Sequence, residues 1–506
     1  MKKYTKIFFI TFAILMIGCN EEDLNIEPNK VSEISLFNSE DGFEQATIGV
    51  YQKLRTFYYW RNEPMHALWL LPDDNLTTLG DRVAEAFSAI NPENGQVRDF
   101  YAINYQLINR ANIILEKIEN VKAGVFSSEQ KKNQLKGEVL FMRSYANFLL
   151  WNFYGGGAPL VLERARSFDE ITPESSGGNA LLNKAIEDLN TAKDLLPAEW
   201  PSEQLGRVTK NAANALLGKA LLFRGTVEGN NQDFTEALNA FNRISGVSLT
   251  EKYQDNFSAF DENNEESIFE VQVGDRFSTT SVWGDDDGNP NGTIAGFWGF
   301  FNNGYFMWNN PRFVPTQALI GTYEDGDPRK DFTIVEETDD DEMQIGKYVT
   351  DDAFITQRPE GRSLSINNPR LIRYADVMLM KAEAIVRTGG NLSEAISLVN
   401  EIRERARMST EDGMEAAAPM DRPDSETDPA TVLDWIMEER RIELAAEEGH
   451  RWFDLRRMHL AGEIDLTNWE FSSLRNDFQF RPRNIYLPIP AFELELNPNL
   501  DQNEGF

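Results

Sequence analysis

Residues 438–458 read EERRIELAAEEGHRWFDLRRM. The acidic and basic residues recur at three- and four-residue spacing, which places them on shared faces of a helix. The pattern predicts a charged amphipathic helix that ends near Gly449. A Trp452-Phe453 anchor follows, then alternating Asp454, Arg456 and Arg457. The stretch reads as structural, with aromatics for burial and Glu–Arg pairs that lock the helix to its neighbours. A catalytic reading of the same residues is poorer, because ion pairs at helical spacing are usually structural.

Outward from this segment, most of the chain reads as helix. Asp41–Trp60 (DGFEQATIGVYQKLRTFYYW) puts Phe43, Ala46, Val50, Tyr51 and Leu54 on one stripe. Two more helices lie in residues 99–118 and 134–154, and Gly155-Gly156-Gly157-Ala158-Pro159 stops the second. Residues 213–244 and 374–407 resemble each other as helix, Gly/Asn turn and helix. Each carries a Lys-Ala pair first (Lys219-Ala220, Lys381-Ala382) and an Ala-aliphatic pair second (Ala237-Leu238, Ala395-Ile396). Residues 181–197 look like the second helix of a further unit. This is degenerate tetratricopeptide-like patterning, in which small residues let paired helices pack closely. Between the helical blocks, about 255–370, the chain is rich in Gly, Asn, Asp and aromatics, with short strand-like pieces such as SIFEVQV. The fold class is mainly α, with helical repeats supporting this loop-rich region.

The N-terminus suggests export. Lys2, Lys3 and Lys6 precede an uncharged, mostly apolar run from Ile7 to Ile17. That run is shorter than the roughly 20 residues needed to span a bilayer and suits a signal peptide. Gly18 and Cys19 follow, then the acidic stretch Asn20–Asp23. The order resembles a bacterial lipobox, with Met16 where Leu is usual. Residues 1–18 are then a signal peptide, Cys19 an acylated first residue, and residues 19–32 a polar tether. The acidic run also resembles a surface-export tag of Bacteroidetes lipoproteins.

Cys19 is the only cysteine, so an internal disulfide and any metal or redox site that needs a second thiol are excluded. The formal charge is −33, and loss of residues 1–18, with three lysines and no acid, makes it −36. Such a surface repels nucleic acid and anionic lipid. Three histidines form no HExxH motif, and the glycine run follows a helix, so it is not a phosphate loop. Asp285, Asp287 and Asn289 resemble the start of a calcium loop, but Gly296 stands where a bidentate Glu belongs, so a solvated turn is expected and no metal. No cofactor and no catalysis are expected.

Residues 438–458 closely resemble the signature of the SusD/RagB family of nutrient-binding lipoproteins. DGFEQATIGVYQKL, NFYGGGAPLV, RYADVMLMKAEAI and the final LPIPAFELELNPNLDQNEGF resemble the same family, in family order. The resemblance implies one domain over residues 33–506, with four tetratricopeptide-like units. It implies outward-facing attachment to the cell outer membrane and a SusC-like TonB-dependent transporter as partner. It implies capture of glycans, with binding residues from loops near two aromatic groups.

In the first group, Trp283, Trp298, Tyr305 and Trp308 sit among turn residues and are candidates for stacking on sugar rings. Phe300 and Phe301 beside them read as core. In the second, Phe57, Tyr58, Tyr59, Trp60 and Trp69 read mainly as core, with Trp60 and Trp69 as further candidates. From Trp283 to Pro311 there is no Lys or Arg but three consecutive aspartates, which favours a neutral glycan over a sulfated or uronate-rich one. The alternatives are a helical glycoside hydrolase, and a peptide-binding or scaffold lipoprotein of the same family.

Overall fold

The structure is a computed structural model that describes residues 33–58, 67–78, 90–164, 166–167, 172–273, 301, 313–336, 343–349, 367–471 and 480–506. The main helices are α1 (Glu40–Leu54), α2 (Gly95–Glu119), α3 (Glu129–Tyr154), α4 (Ala180–Leu195), α5 (Lys210–Glu228) and α6 (Asn231–Phe241). They continue with α7 (Tyr374–Arg387), α8 (Leu392–Met408), α9 (Pro429–Glu443) and α10 (His450–Leu460). Short-range chemistry sets several of their ends. Ser39, Asn94, Ser128 and Thr209 each accept a hydrogen bond from a first-turn amide. α3 stops where the sequence predicts. Gly155 takes φ +57°, and a Cβ there would lie 2.5 Å from the Tyr486 ring.

From α2 to α8 each helix packs on the next, so the array is a continuous stack. The two resembling stretches are the pairs α5/α6 and α7/α8, and residues 181–197 are α4, packed on α3. The pairs need small residues at contact points. On α5, Gly218 faces Phe241 and Gly225 faces Phe234, with a built Cβ only 2.3 and 2.8 Å from those rings. α7 packs directly on α6, although residues 242–373 separate them in sequence. The loop-rich region is thus an excursion out of an unbroken stack.

That excursion is tied back by short antiparallel pairs. β1 (Leu76–Thr78) pairs with β3 (Phe313–Pro315), β2 (Ser267–Glu270) with β6 (Arg370–Arg373), and β4 (Ile334–Glu336) with β5 (Met343–Ile345). One apolar cluster runs from Leu36 to Leu500 and includes most of α1–α6, and a second joins α7, α8 and α9. Each large apolar side chain in it contributes about 1.5–3 kcal/mol by leaving water.

One expectation needs correction. The helix of the signature segment ends at Glu443, not near Gly449. The Glu443 carbonyl accepts from Tyr253 Oη (3.2 Å), Lys347 Nζ (3.1 Å) and Arg373 Nη2 (2.7 Å) instead of carrying the helix on. The chain turns through residues 444–449, with Ala446 and Glu448 at positive φ, before α10 begins.

Gly218→Leu overpacks the α5/α6 contact and is expected to lower stability by about 1–3 kcal/mol, read as a lower denaturant midpoint at unchanged slope. An unchanged midpoint would mean that the helices do not meet closely there.

Candidate functional site

Glu439, Glu443 and Glu447 lie four residues apart, and all three carboxylates are buried. Glu439 accepts from Arg329 Nη1 (2.5 Å) and Arg403 Nη1 (2.7 Å). Glu443 accepts from Arg329 Nη1 (2.9 Å), from Arg373 Nη1 (2.8 Å) and from Arg405. Glu447 accepts from Lys347 Nζ (2.7 Å) and Arg373 Nε (2.8 Å). Glu266 bridges Arg373 and Arg405, and Asp327 holds Arg329. These five acids and five cations balance, which is what makes their burial tolerable.

A second network faces the helical stack. Arg440 bonds Asp376 (2.8 Å) and Asp454 (2.7 Å), and Arg457 bonds Glu383 (2.5 Å) and Asp454 (3.0 Å). Lys219 of α5 bonds Asp376 and His450. Arg456 lies between the rings of Trp151 and Tyr486, at 4.8 and 4.6 Å from their centroids. The segment therefore joins α3, α5, α7 and α8 to the base of the loop region.

Burial alone would raise the Glu443 and Glu383 carboxyls. Arg405, Arg373 and Arg329 outweigh it and hold Glu443 well below the usual carboxylate range, and Arg457 and Arg387 take Glu383 down to about 2. Glu448 differs. Burial pushes it up to about 8, and Tyr58 Oη donates to its Oε2 at 2.7 Å. Burial also lowers Lys347 to about 8 against the pull of Glu447.

This frame fixes the points from which the candidate loops leave. Arg451 and Arg441 hold Asp74, just before β1, and Trp469 Nε1 donates to it at 3.2 Å. The Asp74 carbonyl accepts from Thr316 Oγ1 (2.7 Å), just after β3, and the Asn75 carbonyl from Thr316 N (2.8 Å). Thr78 stands opposite Phe313. Phe301 accepts from Ile345 N (3.1 Å), and its ring lies 6.1 Å from that of Phe313. Phe301 and Phe313, which bound residues 302–312, thus lie together beside β1 and β5.

Trp283, Trp298, Tyr305, Trp308, Trp60, Cys19 and the Asp285–Asn289 run lie outside the described residues. Trp69 is described and is a core residue, not a stacking platform. It is 5% exposed and packs against Tyr58, Phe100 and Phe153. The short helix Ala67–Leu70 turns its ring inward under Gly449. Phe57, Tyr58 and Phe301 are core, as expected. Sequence reading missed the anchoring role of Asp73, Asp74 and Asn75. The signal was there in Pro72–Asn75, a turn-forming run ahead of Leu76–Thr78. Asp73 Oδ1 accepts from the amides of Asn75 and Leu76, and burial pushes its carboxyl up to about 7. Among the described residues no His/Cys/Asp/Glu group could hold a metal ion. The buried acids of the two ion-pair networks are committed to cations.

Known proteins share this architecture. A family profile described as the SusD family matches residues 341–506, and one described as starch-binding, associating with outer membrane, matches residues 24–222. This chain belongs to the SusD/RagB family. It is 26% identical to SusD-like protein P2 of Formosa agariphila, over 99% of both chains. Among solved structures, a laminarin binding SusD-like protein matches with TM-score 0.71 and 23% identity, over 93% of this chain and 100% of that one. Surface glycan-binding protein A from Bacteroides uniformis matches with TM-score 0.70 and 21% identity, over 92% and 99%. At these identities the likeness to solved structures is one of fold. The mainly helical SusD-like fold is the one the sequence indicates.

Glu383 and Glu443 have folded pKa values below the unfolded value near 4.3, so the unfolded chain takes up protons first as pH falls. Their stabilisation is complete at pH 7 and declines from about pH 4.5 towards pH 2. Glu448 acts oppositely, favouring the fold most below about pH 4.5 and losing that contribution as pH rises through about 8. Glu443→Gln leaves three guanidinium groups under-neutralised and is expected to cost about 3–5 kcal/mol at pH 7. Its stability should also decline less steeply into acid, measured by urea unfolding at pH 7 and pH 3. A wild-type-like midpoint at both pH values would contradict the arrangement.

Proposed function

We propose that this chain is a glycan-binding lipoprotein of the outer-membrane surface. It captures oligo- or polysaccharide, without catalysis, and passes it to a SusC-like TonB-dependent transporter. Residues 1–18 serve as signal peptide, Cys19 carries the lipid, residues 19–32 form the tether, and residues 33–506 form one SusD-like domain. The lipobox-like order around Cys19 supports the anchor. The profile described as associating with outer membrane supports the location.

The observation that carries the binding reading is the β1–β3 pair. With Phe301 packed on Phe313, it holds together the two residues that bound the segment carrying Tyr305 and Trp308. Flat rings rooted together can stack on successive sugar faces, while Asn and Asp of the same loops accept and donate to hydroxyls. Two structural neighbours are named for glycan or laminarin binding, which supports the same class of ligand here. The absence of Lys and Arg from Trp283 to Pro311, beside Asp285, Asp286 and Asp287, points to a neutral glycan.

Calorimetry with residues 19–506 against laminarin, other neutral glucans, alginate and a sulfated galactan tests this reading. A neutral polysaccharide should bind, Trp298→Ala and Trp308→Ala should each weaken it about 5- to 100-fold, and no reducing sugar should appear. Release of reducing sugar would favour a hydrolase. Binding at least tenfold tighter to a polyanion, or only to peptides, would overturn the proposed ligand class.

A further inference from the structure

The described chain begins at a fixed point. Gly42 of α1 sits so close under the Leu36 carbonyl that a Cβ there would lie 1.6 Å from the oxygen. Three residues earlier, Glu33 is held by Lys117 Nζ at 2.5 Å and by Arg164 Nη1 at 2.7 Å. Glu33, the first described residue, therefore lies beside Arg164.

Arg164 also lines a cavity of about 570 Å³ beside α2. Tyr101, Tyr105, Leu160, Leu162 and Pro173 give the cavity an apolar wall. One side is a strip of backbone, residues 159–164. The Pro159 carbonyl accepts from Tyr105 Oη (2.6 Å) and the Val161 carbonyl from Asn112 Nδ2 (3.1 Å). Alternate carbonyls facing α2 leave those of Leu160 and Leu162 on the opposite edge. Among the described residues, the backbones of Leu160 and Leu162 make no hydrogen bond. Leu162 is 44% exposed. The Arg164 Nε, buried 3.2 Å from Glu116 Oε2, also makes no hydrogen bond. An apolar wall beside an unpaired backbone edge suits an added extended strand.

We infer that the occupant is this chain's own segment Leu24–Val31, laid along residues 159–164 as an extended strap with Leu24 and Ile26 in the cavity. Leu24 and Ile26 stand two apart, so they share one face of an extended strand. Pro28 biases Glu27 towards the same conformation. The reach matches. From Lys117 to Tyr105 along α2 is about 18 Å, and from Glu33 back to Ile26 is about 23 Å of extended chain. Where Cys19 is acylated, as proposed above, only Asn20–Asp23 remain free, about 13 Å of chain. The strap then turns the α2 side of the body towards the membrane.

Hydrogen–deuterium exchange on residues 19–506 tests this without a variant. Amides of residues 24–31 should exchange at least about tenfold more slowly than those of residues 20–23. Leu24→Asp with Ile26→Asp should speed exchange across residues 160–164 about tenfold, and leave glycan affinity unchanged. Exchange of residues 24–31 at the free-chain rate would overturn the strap, as would no change at 160–164 in the double variant. Protection of residues 160–164 only on adding laminarin, or only at high protein concentration, would assign the cavity to an external ligand or a second copy instead. None of these outcomes depends on whether the loop region binds glycan.

Discussion

The Glu443 carboxyl group, buried and shared by Arg329, Arg373 and Arg405, is the constraint on which the rest of the structure turns. Each of those arginines belongs to a different part of the chain. Arg329 lies in the loop-rich excursion, Arg373 closes β6 at its return, and Arg405 belongs to α8. One anion thus gathers three segments that apolar packing alone would leave free to slide. Removing its charge would strand three cations in the interior, which costs far more than any single pair contributes at a surface.

The same segment divides the molecule into parts with different physical rules. Towards the helical stack, Arg440 and Arg457 lock α9 and α10 to α7, and small residues such as Gly218 and Gly225 set helix spacing. Towards the loops, Arg441 and Arg451 fix Asp74, and with it the β1–β3 pair. A rigid base under loops is what ligand recognition requires, because ordering a loop on binding costs affinity. The frame can thus stay constant while the loops it carries vary in length and composition.

Much of this was legible in the sequence. Helical periodicity and the Gly/Asn turns gave α5/α6 and α7/α8, and the glycine run marked the end of α3. The structural reading of residues 438–458 was right in kind. Its helix end was misplaced because the groups that take the Glu443 carbonyl, Tyr253, Lys347 and Arg373, are at least 70 residues away. No local pattern reports them. The burial of those charges was equally invisible, since a run of Glu and Arg looks the same on a solvated face. Trp69 failed for a related reason. An indole near loop residues reads as exposed until Phe100 and Phe153 are found around it. The chemistry of Trp283, Trp298, Tyr305 and Trp308 rests on sequence, because they lie outside the described residues.

A crystal structure of the chain with a bound neutral oligosaccharide tests this arrangement most directly. Sugar rings stacked on side chains from residues 59–89 and 274–312, above an unaltered Glu443–Arg373–Glu447 network, are the predicted result. An oligosaccharide seated away from the β1–β3 base, for instance against α2 and residues 159–164, would contradict it.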